Sequence, residues 1–221
     1  MTVNLADAYR EQFNRGLAQR YQYWRVLCRS YLQRFIPSRA TVLELGCGCG
    51  EFIDAIEAER KIVVDPNPDA PMYLNFGIEF HQAAVADLSS IPDRSIDVVF
   101  ASSTLHMLRD KTELNALFAE VRRVLRQGGR LVVLGPNIRY AYAAYWDYYG
   151  HQIPLSGYGL AEGLTLSDFA IEALIDRFIP HTTSGLPTSS SLLRLYLALP
   201  PVWRIFGRQY LVVARKKPWP I

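Results

Sequence analysis

The sequence predicts an α/β fold in which a mostly parallel β-sheet carries helices on both faces. Between residues 40 and 135, apolar runs of strand length alternate with segments of helical periodicity. The apolar run at 41–50 also breaks into alternating glycines, Gly46, Gly48 and Gly50, before helix-forming sequence begins at Glu51. A buried strand that ends in a tight turn and opens a helix is typical of such a sheet, whose crossovers are right-handed.

The 221 residues suit a single domain with three zones: a helical cap at 1–37, a ligand-binding half at 40–135 and a second half at 136–221. In the first zone, apolar residues recur at steps of three and four from Leu5 to Phe35, which predicts one or two amphipathic helices. We expect an interruption near Gly16 and an end at Pro37.

The second zone contains the first five predicted strands. They cover residues 41–45, Lys61–Asp65, Phe80–Asp87, Ser95–Ser102 and Arg130–Gly135. Before the fifth strand, Leu114, Leu117, Phe118, Val121, Val124 and Leu125 form the apolar face of a helix. Gly128-Gly129 is predicted to end that helix.

The third zone is predicted to contain a helix over Leu166–Phe178, a sixth strand near Phe178–Thr183 and a last strand over Gln209–Arg215. Between the strands, Ser189–Phe206 is apolar on more than one side and carries arginines. This pattern favours a buried or dimer-forming helix pair broken at Pro200-Pro201. The alternative is a shallow contact with a membrane surface or with a lipid-linked substrate.

The glycine turn predicts a bound nucleotide, because a helix N-terminus presents free N–H groups. A dinucleotide fingerprint would need a third glycine at position 51, where Glu51 stands and would repel a pyrophosphate. A ligand with an adenosine and no phosphate fits better. Asp65 ends the second strand 19 residues after Gly46, near the offset at which an acid binds ribose hydroxyls.

Glu44-Leu45-Gly46-Cys47-Gly48-Cys49-Gly50 resembles the E/D-x-G-x-G-x-G motif of class I S-adenosylmethionine-dependent methyltransferases. Leu105-His106-Met107-Leu108 after the fourth strand also matches a frequent family sequence, and the resemblance covers about two-thirds of the chain. It implies a Rossmann-like sheet of seven strands with the last strand antiparallel, inserted between the fifth and sixth. It also implies S-adenosylmethionine as cofactor and S-adenosylhomocysteine as product. The cofactor residues it implies are Glu44, Gly46, Cys47, Gly48, Gly50, Asp65, Asp87 and Ser102.

The segment after the fifth strand is dense in aromatic residues and leaves the sheet edge where ligands bind in open α/β folds. The candidate acceptor residues there are Asn137, Arg139, Tyr145, Trp146 and Tyr149. The alternative is a lid helix that packs its aromatics onto the sheet. Loosely, this segment and the C-terminal end resemble bacterial methyltransferases of glycan, lipid-linked sugar or natural-product pathways.

Histidine supplies a base with a pKa near neutrality for an oxygen nucleophile. His151, at the end of the aromatic run, is the preferred general base, and His106 after the fourth strand is the second choice. His81 and His181 are expected to be structural. No metal is expected, since no histidine–carboxylate or cysteine spacing of zinc type occurs.

Composition limits the other classes. The net charge of +3 is mild and the basic residues are scattered apart from 215–217, so nucleic-acid binding has little support. Three cysteines, Cys28, Cys47 and Cys49, point to a reducing cytoplasm. Neither a signal peptide nor a membrane-spanning stretch is evident.

Together these features predict a cytoplasmic, biosynthetic O-methyltransferase acting on a small-molecule, sugar or lipid-linked acceptor, as a monomer or a homodimer. N-methylation of a small amine remains an alternative. So does a catalytically inactive, cofactor-binding partner subunit. A nicotinamide-dependent oxidoreductase is disfavoured by Glu51.

Overall fold

The computed structural model describes residues 16–181 and 189–218, which form seven strands and seven α-helices. The strands are β1 Thr41–Leu45, β2 Arg60–Asp65, β3 Glu79–Gln82, β4 Ile96–Ser102, β5 Leu125–Pro136, β6 Phe169–Ile175 and β7 Gln209–Lys216. The helices are α1 Leu17–Ser30, α2 Glu51–Ala55, α3 Lys111–Val124, α4 Ile138–Ala141, α5 Gly157–Leu166, α6 Ser190–Ala198 and α7 Pro200–Phe206.

The strands form one sheet in the order β3-β2-β1-β4-β5-β7-β6. β1 to β5 pair in parallel, whereas β7 runs antiparallel to both β5 and β6. This confirms the predicted seven-stranded, mostly parallel sheet with an antiparallel last strand inserted between the fifth and sixth. The strand order reverses between β1 and β4, and open α/β sheets bind their ligands at that place.

Helices cover both faces of the sheet, so its strands are apolar on both sides. In β1, Leu43 and Leu45 point into the core on one face, while Val42 joins the core on the other. A strand covered on both faces needs such a continuous apolar run, which is how the sequence encodes β1. Burying one of these side chains stabilises the fold by about 1.5–3 kcal/mol.

The N-terminal cap packs α1 against the sheet and the start of α2. Gly16 takes a left-handed conformation (φ 67°) just before α1 begins. The Trp24 ring meets the rings of Phe52 and Phe100 edge-on, each at 6.2 Å between centroids. The predicted helical pattern before Gly16 lies outside the described residues.

Strand β6 and the helix before it lie earlier in the chain than the pattern predicts. The sequence predicts a helix over Leu166–Phe178, but α5 ends at Leu166 and the following residues form β6. Asp168 adopts a left-handed conformation (φ 61°), which a short polar side chain tolerates and which ends the helical path. The predicted strand near 178–183 is therefore wrong as far as residue 181, and its last two residues lie outside the described part.

Two boundaries around the sheet also differ from the prediction. Helix α3 ends at Val124, not at Gly128-Gly129, because its chain passes directly into β5. Gly128 instead takes φ 73° inside β5, near the irregular pairing with β4. Strand β3 ends at Gln82, so Asp87 follows the strand and does not belong to it.

Helices α6 and α7 form the predicted pair broken at Pro200-Pro201, but only one side of the pair is buried. Leu197 and Trp203 face the core, and the indole Nε1 of Trp203 donates to the Tyr196 carbonyl at 2.7 Å. The other side is exposed. Within residues 16–181 and 189–218, no helix combines the length and the apolar character that crossing a membrane requires.

Candidate active site

The glycine turn between β1 and α2 lies at the carboxyl edge of the sheet. Gly46, Gly48 and Gly50 have φ values of 72°, 58° and 77°. A Cβ at Gly46 would stand 2.8 Å from Thr104 Oγ1, closer than real Cβ atoms come to any neighbour. These residues are therefore glycine for two reasons: the backbone conformation and, at Gly46, the close approach of the loop after β4.

Asp65, at the end of β2, is tied to this turn. The buried carboxylate accepts from the backbone N–H of Gly48 at 3.3 Å and from that of Asn67 at 2.8 Å. A carboxylate has about four acceptor positions, so two remain for a ligand with hydroxyl donors. The geometry fits the ribose role that the sequence predicts for Asp65.

Glu44 lies under the turn and is almost completely buried. Burial raises the pKa of its carboxyl well above the usual range, and Glu51 adds to this effect. Its Oε2 atom is buried and lacks a hydrogen-bond partner in the described structure. A buried acceptor without a partner costs free energy, so this position favours a cationic or hydrogen-bond-donating ligand group. The amino group of a methionine moiety fits.

Helix α1 closes over the glycine turn through contacts that the sequence pattern does not specify. The Tyr21 hydroxyl donates to the Cys49 carbonyl, and Arg20 Nε lies 2.7 Å from Glu51 Oε1. In the sequence, Tyr21 is one of several aromatics at helical spacing, and nothing in that spacing identifies its partner. The turn is thus held from both sides, by α1 and by the loop after β4.

The cysteines of the turn are free thiols. Cys47 and Cys49 are buried, and burial raises the pKa of each thiol, that of Cys49 to about 11. Both remain protonated at neutral pH. They act here as small residues that fit under the turn.

The segment after β4 brings Ser102, Ser103 and Thr104 to the same edge. The Thr104 hydroxyl is within hydrogen-bond distance of the carbonyls of Leu45 and Ser102, at 2.9 and 3.0 Å. Ser103 has φ 53°, an uncommon conformation for a residue with a side chain. Backbone strain of this kind concentrates at functional sites. The sequence predicts a role for Ser102 but none for Thr104. Only the folded structure shows that Thr104 contacts Gly46.

Asp87 lies farther out than the other predicted cofactor residues. It is exposed, and its carboxylate accepts from the backbone N–H of Ser89 at 3.1 Å. The hydrogen bonds from Ser89 lower the pKa of Asp87, so it is charged at neutral pH.

Three histidines converge next to this edge. His106 follows β4, and its ring lies 4.0 Å from the ring of His151 between centroids. The His181 ring lies 6.3 Å from that of His151, and Tyr148 stacks on His151 at 5.1 Å. The sequence predicts a structural role for His181, yet the fold places it in the same cluster as the two candidate bases.

Several nitrogens of this cluster are buried and have no hydrogen-bond partner among the described residues. They are Nδ1 of His106, His151 and His181, and Nε2 of His181. No group of three or more histidine, cysteine or acidic residues in the described ranges is placed to hold a metal ion. The free nitrogens therefore favour a ligand that both donates and accepts hydrogen bonds, as a hydroxyl does.

Burial keeps all three histidines neutral. Burial, together with smaller contributions from His151 and His181, lowers the pKa of His106 to about 3. The pKa of His151 is lowered mainly by burial and then by His181, while that of His181 is lowered mainly by burial and then by Arg208. His151 is more exposed than His106, so a proton on His151 is less costly.

The aromatic segment after β5 divides into buried and exposed members. Tyr145 is fully buried and donates its hydroxyl to the Ile153 carbonyl, and Asn137 is fully buried and donates to Asp176 Oδ1 at 2.7 Å. Arg139 and Trp146 are exposed, and Tyr149 is 99% exposed. Some of these side chains thus pack onto the sheet and others are exposed, and the acceptor role of the exposed ones stays a prediction.

Comparisons with known proteins agree with this geometry. Residues 43–133 match the family described as a methyltransferase domain. A probable S-adenosylmethionine-dependent methyltransferase of Saccharomyces cerevisiae is 29% identical over 42% of this chain, and a malonyl-[acyl-carrier protein] O-methyltransferase of Hahella chejuensis is 31% identical over 41%. Each match spans 34% of the relative's length, about a third.

Among solved structures, this chain is similar over almost its whole length to a chain in a complex from Haloferax volcanii. The complex joins the Trm112 methyltransferase activator and a methyltransferase. The TM-score is 0.71 at 18% identity, with 99% of this chain and 100% of that chain covered. This similarity shows the fold alone. Over residues 43–133 the chain matches a methyltransferase domain, and S-adenosylmethionine is the cofactor that this family and the named relatives imply.

Proposed function

We propose that this chain is an S-adenosylmethionine-dependent methyltransferase that methylates a hydroxyl group of a small-molecule, sugar or lipid-linked acceptor. The observation that carries the choice of a hydroxyl is the histidine cluster beside the glycine turn. Its buried ring nitrogens without partners suit a hydroxyl, and the partly exposed His151, which is neutral at pH 7, is able to accept a proton from it.

Five parts of the site would hold the cofactor. Glu44 would accept from the amino group, and the turn from Gly46 to Gly50, Cys47 included, would let the methionine moiety lie against the backbone. Asp65 would accept from the ribose hydroxyls. Asp87 would bind the adenine amino group and Ser102 the methionine moiety, each at the end of its strand or beyond it.

When bound, the cofactor supplies an activated methyl group on a sulfonium. The protein then has to orient the acceptor in line with that group and to remove a proton from it. Positioning of this kind supplies up to about 7–11 kcal/mol of barrier reduction in well-oriented reactions. The close packing of the loop after β4 on Gly46 would help to hold this edge in place.

His151 is the general base in this proposal. It is neutral, partly exposed and within 4.0 Å of His106 between ring centroids. His106, with its pKa near 3, is too costly to protonate and would act as a neutral hydrogen-bonding group. Arg139, Trp146 and Tyr149 would contact the acceptor, whereas Asn137 and Tyr145 would fix the segment that carries them.

We also propose a cytoplasmic setting and a biosynthetic role. Three free thiols support a reducing cytoplasm. The resemblance to methyltransferases of glycan, lipid-linked sugar and natural-product pathways supports a biosynthetic acceptor.

The test is transfer of a radiolabelled methyl group from S-adenosylmethionine to a panel of hydroxylated sugars, phenols and matched amines. The proposal expects transfer to at least one hydroxyl acceptor and a rate that falls in acid. Transfer to amines alone would replace it with N-methylation of a small amine.

A second candidate is a partner subunit that binds the cofactor without turnover by itself. The similar chain from Haloferax volcanii was solved in complex with an activator protein, which favours testing for a protein partner. Tight binding of S-adenosylhomocysteine together with no transfer to any acceptor would support this candidate.

A further inference from the structure

The outer face of the α6–α7 helix pair exposes a row of large apolar side chains. Their exposed fractions lie between 42% and 67%. They are Leu192, Leu195, Leu199, Ile205 and Phe206. The inner face is anchored by the buried Leu197 and Trp203, so the pair cannot turn its apolar outer side inward. Exposed apolar groups of this density mark an interaction surface.

The charged residues of the C-terminal segment that carries this face have one sign. Residues 177–221 carry seven lysines and arginines and no acidic residue, whereas residues 1–176 carry 17 basic and 21 acidic residues. Arg194 on α6 and Arg204 on α7 are exposed, and Arg208 follows directly after the pair. The mild net charge of the chain therefore hides a C-terminal part that is strongly basic.

A second copy of the chain suits this face poorly. In a symmetric dimer the same patch faces itself, so the arginines of the two copies would approach each other. No acidic residue of the segment is available to pair with them. Repulsion of like charges in a desolvated interface costs several kcal/mol.

We propose that the outer face of α6–α7 docks on a membrane surface that contains anionic lipids. Leu192, Leu195, Leu199, Ile205 and Phe206 would lie among the acyl chains, and Arg194 and Arg204 would lie at the headgroups. Apolar burial and attraction to anionic lipids combine in such amphipathic, basic helices. Arg177 donates to the carbonyls of Ile205 and Gly207, which holds the end of α7 in place.

The docking face adjoins the candidate acceptor side. Arg208 Nη1 lies 3.3 Å from the Tyr140 carbonyl, and its charge is one of the influences on His181. A membrane on this face would bring a lipid-linked acceptor to the histidine cluster. That consequence rests on the proposed function, whereas the docking does not.

The experiment is co-sedimentation of the whole chain with vesicles of equal parts phosphatidylcholine and phosphatidylglycerol, and with vesicles of phosphatidylcholine alone. We expect binding to the mixed vesicles that weakens as salt is raised. Arg194→Gln combined with Arg204→Gln should weaken it about 30-fold, since each basic residue at an anionic surface contributes about a factor of five. Leu195→Ser with Ile205→Ser should weaken it as well.

The matched control is Arg39→Gln with Arg94→Gln, which removes the same charge from the opposite edge of the sheet, before β1 and β4. This variant should bind like the wild type. The proposal would be overturned if the two double arginine variants lost vesicle binding to the same extent. It would also be overturned if the wild-type chain did not bind the mixed vesicles. A dimer, seen by sedimentation equilibrium, that the Leu195→Ser/Ile205→Ser variant abolishes would overturn it as well. Titration of each variant with S-adenosylhomocysteine separates a failure here from a failure of the proposed function.

Discussion

The glycine turn and the aromatic segment after β5 face the same edge of the sheet, but they are determined in different ways. In the turn, Gly46 and Asp65 occupy positions fixed by backbone dihedrals and by main-chain hydrogen bonds. In the aromatic segment, Tyr145 is completely buried and Tyr149, four residues later, is 99% exposed. The comparison teaches that a site built from backbone constraints leaves a signature in sequence, whereas a site built from packing does not.

The largest expected effect is on turnover, and it concerns the histidines at the aromatic segment, where packing determines the site. His151→Gln should lower the turnover of a hydroxyl acceptor by about 100- to 10,000-fold, the usual contribution of a general base. His106→Gln should cost less than His151→Gln, because His106 has a pKa near 3 and does not take up the proton. Steady-state kinetics measure both variants.

The pH profile sharpens this prediction. Burial lowers the pKa of His151 from its usual 6.5, so the wild-type rate should fall in acid as the base is protonated and level off by neutral pH. A full rate in His151→Gln, or a larger loss in His106→Gln, would reverse the assignment.

On the backbone-determined side, Gly46→Ala should reduce the free energy of unfolding by about 3 kcal/mol, from a strained φ together with overpacking against Thr104. In a Thr104→Ala background the same change should cost about 1–2 kcal/mol less, because the clash is relieved. Urea unfolding of the four proteins measures this coupling. Additive losses would mean that the turn does not press on Thr104.

Asp65→Asn tests the ribose assignment. The amide keeps an acceptor for the Gly48 N–H but loses the charge, so the affinity for S-adenosylhomocysteine should fall about 10- to 100-fold. Asp87→Asn is the matched control, since Asp87 is exposed and its change should cost at most about tenfold. Equal losses at both positions would show that Asp65 has no special role.

Acid should destabilise the fold through His106. Its pKa is 6.5 unfolded and about 3 folded, so the unfolded state binds more protons between these values. Above pH 6.5 His106 is neutral in both states and its contribution to the free energy of unfolding is complete. As the pH falls below 6.5, this contribution decreases by at most about 1.4 kcal/mol per pH unit. His106→Gln should flatten this acid limb in chemical unfolding curves. An unchanged slope would place the acid sensitivity elsewhere.

The smallest effects separate the two tyrosines of the aromatic segment. Tyr145→Phe should lose about 1 kcal/mol of stability with its hydrogen bond to Ile153. Tyr149→Ser should leave the midpoint of unfolding unchanged and raise the KM of the acceptor. If Tyr149→Ser alters neither quantity, Tyr149 does not contact the acceptor.

The sequence predicts some features of this fold correctly and others not. The seven-stranded sheet, the glycine turn and the inserted β7 follow from apolar runs, glycine spacing and family resemblance, and the structure confirms them. The bounds of β6 and the end of α3 were wrong, because the left-handed Asp168 and the direct passage from Val124 into β5 override helical periodicity.

Contacts between distant segments could not be foreseen. The hydrogen bond from Tyr21 to the glycine turn joins residues 28 apart, and the packing of Thr104 on Gly46 depends on neighbouring strand ends. His181 was expected to be structural, since only the folded chain brings it to His151. Such contacts depend on the three-dimensional path of the chain, which a periodic pattern does not specify.

The most direct test of the account is calorimetric titration of the wild-type chain with S-adenosylhomocysteine and, separately, with NADH. We expect one-site binding of the adenosyl compound and no heat from NADH, because Glu51 stands where a pyrophosphate would need a glycine. The bound form should also be more stable, by about 2.7 kcal/mol at a hundredfold excess over Kd. No binding of S-adenosylhomocysteine, or binding of NADH in its place, would contradict the account.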